Sequence, residues 1–132
     1  MNTKRFILAG IAVFVVIQAV DWLVHGVFLA GWYEELKSIW RADMMDIMWL
    51  MTLGSLFFSF MFVFIFVKGY ENKGIMEGIR YGLYVGLLIM VSGMLGQYVM
   101  YPIPLGLPLI WLAYGILELI LAGAVAAAIY RT

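Results

Sequence analysis

The sequence predicts an all-α integral membrane protein: a four-transmembrane-helix bundle with a short interfacial helix in its first outer loop. Of its 132 residues 66% are hydrophobic and 12% charged, against roughly 25% charged in a soluble domain. A chain of this length has too little interior to hide that much apolar side chain from water. Four apolar stretches, at about Phe6–Phe28, Ile47–Val67, Ile79–Tyr101 and Leu107–Tyr130, approach or exceed the roughly 20 residues needed to cross a ~30 Å hydrocarbon core as a helix. Runs this long are not barrel strands, and a backbone in lipid must satisfy its own hydrogen bonds. One domain over residues 1–132 is expected, without repeats or a disordered tail.

The first span begins behind Lys4 and Arg5 like a signal-peptide core. Its apolar run is too long and no small-x-small cleavage site follows, so it reads as an uncleaved anchor. Its outer half carries Gln18, Asp21 and His25, which offsets of three and four place on one helix face. Beyond it, Tyr33, Leu36, Ile39/Trp40 and Met44 repeat at helical spacing within Gly31–Asp46, with Glu34, Glu35, Lys37, Ser38 and Arg41 on the other side. With Trp32, Tyr33 and Trp40 this segment is expected to lie as a helix in the interfacial plane.

Asp43 and Asp46 precede the second span, where a helix N-terminus favours carboxylates. The run Leu56–Phe62 is bulky nearly all round and suits lipid or a partner protein. Ser55 and Ser59 are expected to bond back to their own helix. Met44, Met45, Met48 and Met51 crowd its outer end, with Met94 and Met100 at similar height on the third span. Thioethers can bind Cu(I), but methionine more often fills irregular gaps, so no metal is assigned to Met44, Met48 and Met51. The inner loop Lys68–Gly78 is a polar turn broken by Gly69 and Gly74, with Lys73 and Glu77 spaced as an i,i+4 pair.

The third span carries Gly78, Gly82 and Gly86 four residues apart, then Gly93, Gly96 and Gln97; the fourth offers Gly115, Ala122, Gly123, Ala126 and Ala127. Such faces admit close helix approach, and packing within the bundle is favoured over a homodimer seam. Arg80 is expected to snorkel, and Tyr70, Tyr81, Tyr84, Tyr98, Tyr101 and Tyr130 to anchor at interfaces. Lys4, Arg5, Lys68, Lys73, Arg80 and Arg131 fall on the side of both termini, against only Lys37 and Arg41 opposite. This bias predicts cytoplasmic termini in an inner membrane.

Ionisable residues inside a membrane are costly and default to a functional hypothesis. At 1.5 Å rise per residue, Gln18 lies ~18 Å above Phe6 and Glu118 ~16 Å below Leu107, so both sit near mid-membrane. Asp21, Gln97 and His25 lie above them, and together the five are expected to form a polar track opening outward. No Lys or Arg shares the depth of Glu118, which is therefore expected as a neutral acid donating to Gln18, Gln97 or Asp21. A buried Glu, an Asp and a His suit a proton relay, or a site for a quinone or lipid headgroup. They are also acceptable metal ligands. The plainer alternative is a hydrogen-bonded network that fixes helix register.

With no cysteine there is no disulfide, thiolate metal site or iron–sulfur cluster, and one histidine excludes a bis-histidine haem within one chain. Zero formal net charge gives no case for nucleic acid. No cofactor is predicted, and nothing marks an enzyme. The first-helix exit Gly26-Val-Phe-Leu-Ala-Gly-Trp-Tyr before Trp40, and Gly-Gln-Tyr leading through the proline turn Pro102–Pro108 to Trp111-Leu-Ala-Tyr-Gly, are similar to small bacterial four-helix membrane proteins of unknown function. That resemblance implies a fold and a membrane location and transfers no activity. The expected function is an accessory or structural subunit packing against lipid, another membrane protein or itself. The alternative is a proton-coupled small-molecule or ion transporter using the buried track.

Overall fold

The apolar runs wind into helices in a computed structural model that describes residues 1–131. They are α1 (Thr3–Leu23), α2 (Ala30–Glu35), α3 (Trp49–Lys68), α4 (Ile75–Met100) and α5 (Gly106–Ile129). A π-helical turn, Val24–Phe28, extends α1, and a 3-10 turn, Met44–Ile47, leads into α3. With those turns, four helices of 24 to 26 residues are long and apolar enough to cross a membrane, and the protein is a multi-pass membrane protein.

Small residues decide which helices touch. A Cβ on Gly78 would strike the carbonyl oxygen of Gly123, one on Gly82 the carbonyl of Leu119, and one on Gly86 the Cα of Ile116 at 3.1 Å. The α4 stripe thus lies backbone to backbone on α5, within the bundle. On α5, Gly115 leaves room for Met90 and Ala122 is wholly buried. A neighbouring face of α5 takes α1, and α1 in turn takes α3. The core is built from Ala9, Val13 and Ile17, from Phe62, Val63 and Phe66, and from Leu119, Ala122 and Ala126.

The C-terminal half of α3 is therefore packed, although its sequence is bulky all round. Phe60 covers Gly10, and the Phe6 ring meets Phe60 edge-on at 5.7 Å. Tyr81 of α4 also reaches α3, its hydroxyl donating to the Phe62 carbonyl at 2.6 Å. Towards the end away from the termini α3 and α4 turn broad apolar faces to the surface, with Met51, Phe57, Leu88 and Val99 among the exposed side chains.

At the other end the termini meet, the Asn2 amide donating to the Tyr130 hydroxyl at 3.0 Å. Tyr130 also packs edge-on against Tyr70 of the α3–α4 loop. Tyr81 and Tyr130 are thus internal contacts rather than interface anchors. The expected Lys73–Glu77 pair does not form, because α4 begins only at Ile75, after Gly74 with φ 84°. Glu77 instead accepts from the backbone N–H groups of Glu71 and Lys73, at 2.6 and 2.8 Å. Lys73 pairs with Glu71, which holds that exposed carboxyl below its ordinary range.

The connection from α1 to α3 departs from its periodicity. Helix forms only over Ala30–Glu35, followed by turns. Asp43 pairs with Arg41 and, like Asp46, caps no helix with its side chain.

Candidate functional site

The chemistry-bearing side chains gather where α1, α2 and α5 meet, near the end of the bundle away from the termini. The π-helical turn widens the end of α1, the Leu29 amide reaching back to the Val24 carbonyl at 2.8 Å, and it carries His25. Single π turns inside helices occur often at functional sites. His25 uses both ring nitrogens, Nδ1 with the Tyr33 hydroxyl of α2 and Nε2 with the Tyr114 hydroxyl of α5. Tyr33 accepts from the Trp111 indole at 2.8 Å, and its backbone carbonyl accepts from the Trp40 indole at 3.2 Å. Its ring stacks on His25 with centroids 5.7 Å apart. Burial pushes the Tyr33 hydroxyl above its ordinary pKa, and the Trp111 hydrogen bond offsets part of that rise.

Below His25, the Asp21 carboxyl is the polar neighbour of both the Tyr114 hydroxyl and the Glu118 carboxyl, with no hydrogen bond formed to either. Glu118 is 7% exposed, and its Oε1 has no donor among the described residues. Glu118 thus sits buried beside a second carboxyl, with no Lys or Arg on the same stretch of α1 or α5. The donors then run one way. Trp111 donates to Tyr33, Tyr33 to His25 Nδ1, and His25 Nε2–H to Tyr114, whose own hydroxyl proton is left to face Asp21. That order assigns the Nε2–H tautomer to a neutral His25.

The polar side chains stop at Glu118. Towards the termini α5 continues as Leu119, Ala122 and Ala126 against Val13 and Ile17 of α1, all buried. In this layer neither helix offers a polar side chain.

Of the five track residues expected from sequence, Asp21, His25 and Glu118 come together. Gln18 turns to α3 instead, where it donates to the Ser55 hydroxyl at 3.0 Å. Ser55 is thus an acceptor for α1, whereas Ser59 does bond back to its own helix, at the Ser55 carbonyl 2.8 Å away. Gln97 is exposed on α4 and lines a separate cavity with Trp40, Arg41, Tyr101 and Trp111. It takes no part in the chain.

Tyr33, Tyr114 and Trp111 were not expected here. Their signal was present in part, since residues 111, 114 and 118 share one face of α5. Among the described residues no three His, Asp or Glu side chains form a metal-binding set, and tyrosines occupy both nitrogens of His25. Met44 and Met51 are exposed and Met48 is half-buried. No family model, curated protein or solved structure matches the chain, so the likeness to small bacterial four-helix proteins remains an expectation.

Proposed function

We propose that this is a proton-responsive membrane protein whose Asp21–Glu118 pair exchanges a proton with the outer side through Tyr114, His25 and Tyr33. The one-way hydrogen-bonded chain from Trp111 to Tyr114, whose remaining hydroxyl proton faces Asp21 beside the buried Glu118, carries this reading. Each hydroxyl and the imidazole both donate and accept, so a proton can enter at one end as another leaves at the next. The apolar layer beneath Glu118 supports a loaded site rather than a conducting path. Such a site acts by changing the charge, and so the packing, between α1 and α5.

The test is infrared difference spectroscopy on the protein in liposomes, stepping the pH on one side at a time. An external step should move a carboxyl band that Glu118→Gln removes, whereas an internal step should not, and no proton flux should cross the vesicle. A Glu118 band already fully ionised at neutral pH would defeat the proposal.

The accessory-subunit reading has its own support. Gly93 and Gly96 on α4, and Gly54 on α3, have nothing within 4 Å of where a Cβ would stand. Glycines in a span serve close helix approach, so these faces suit a helix of another chain in the inner membrane. Purification from native membrane as a lone monomer would remove that support.

A further inference from the structure

The cavity that holds Gln97 is not part of the proton chain. We propose that it binds the planar, carbonyl-bearing head of a neutral membrane amphiphile, of the quinone class. Its volume, about 380 Å³, falls in the range of small-molecule sites. It lies between the outer loop, the end of α4 and the start of α5, with Gln97 one turn before the end of α4 at Met100. A ligand can therefore enter from the bilayer while its tail stays in lipid.

The lining selects the head. Ile39 and Ile103 and the rings of Trp40, Tyr101 and Trp111 make apolar walls suited to a flat ring. Both indole N–H groups are spent on Tyr33, which holds those walls in place. The Gln97 amide and the Tyr101 hydroxyl have no side-chain hydrogen-bond partner among the described residues. An amide in a membrane span without a partner is costly, and carbonyl oxygens on a ligand would satisfy it.

Charge narrows the class further. Arg41 on the cavity wall is already paired with Asp43 at 2.5 Å, so a phosphate head would have to displace a carboxylate. The surrounding loop sets Glu34, Glu35, Asp43 and Asp46 against Lys37 and Arg41, which disfavours an anion, and the cavity wall carries no carboxylate to pair with a cation. A neutral head remains.

The experiment titrates decylubiquinone into the full chain in phosphatidylcholine nanodiscs and follows quenching of tryptophan fluorescence. Saturable quenching is expected above the linear background of partitioning. Gln97→Leu, at an exposed position that lipid tolerates, should weaken it about tenfold, the loss of roughly one good hydrogen bond. Tyr101→Phe should weaken it by less, and Tyr98→Phe should leave it unchanged. The proposal is independent of the proton reading, so Glu118→Gln should bind as the native protein does. Linear quenching in the native protein would overturn the proposal, as would saturation that Gln97→Leu and Tyr101→Phe leave unaltered. So would displacement of the quinone by a small molar excess of short-chain phosphatidylglycerol, or loss of binding in Glu118→Gln but not in Gln97→Leu.

Discussion

Tyr114 bonds to His25 and faces Asp21, so losing its hydroxyl would isolate the carboxyls while leaving every helix in place. Tyr114→Phe keeps the ring and removes one hydroxyl; hydrogen bonds between transmembrane helices average about 0.6 kcal/mol and reach ~1.7 kcal/mol. The fold should survive with a small loss of thermal stability in detergent. The Glu118 proton should remain, but its exchange after an external pH step should slow sharply, as read by time-resolved infrared difference spectroscopy. Unchanged exchange would show that protons reach Glu118 by another route. Sequence revealed Asp21, His25 and Glu118 because an ionisable side chain stands out in an apolar run. It concealed Tyr33 and Tyr114, because tyrosine is common at membrane interfaces and a sequence does not say which way the ring turns. The glutamines failed for a related reason. Rise per residue fixes the depth of Gln18 and Gln97, but only packing fixes what they meet: Gln97 continues the glycine face of α4, yet Gly93 and Gly96 beside it meet no neighbour and Gln97 is left exposed.

At the scale of helices, the α4–α5 seam was the most legible feature, since glycines every fourth residue have one strong structural use in lipid. The structure adds the contrast within α4. Gly82 meets the Leu119 backbone, which cannot swing aside, whereas Gly93 and Gly96 stand open. Gly82→Ala should cost about 1–3 kcal/mol, in the range of overpacked sites, and Gly82→Leu more. Gly93→Ala and Gly96→Ala should be close to neutral in the isolated protein. Thermal melting of the four variants in one detergent makes the comparison, and equal midpoints would mean that the seam is not the tight contact. The outer loop was the least legible element. Its residues repeat at helical spacing beyond Glu35, yet short helices in water are marginal without tertiary support. Here Tyr33 turns inward to His25 and Trp40 bonds back to the Tyr33 carbonyl, so side-chain anchoring overrides the period.

For the whole molecule, an even number of spans and the Asn2–Tyr130 contact put both termini at one end. Lys4, Arg5, Lys68, Lys73, Arg80 and Arg131 cluster there, and Lys37 and Arg41 stand at the other. Short loops rich in Lys and Arg are retained in the cytoplasm, so that end is predicted to face inward and the His25–Glu118 chain to approach the external side. A C-terminal alkaline phosphatase fusion should be inactive and a fluorescent-protein fusion bright. A fusion after Lys37 should behave the opposite way. If the C-terminal phosphatase is active instead, the helices and the carboxyl pair remain as they are but the direction of access reverses. The pH step that moves Glu118 would then be the internal one. The two measurements therefore constrain each other: the side from which Glu118 titrates must be the side opposite the termini, because the apolar layer of Val13, Ile17, Leu119 and Ala122 closes the other approach.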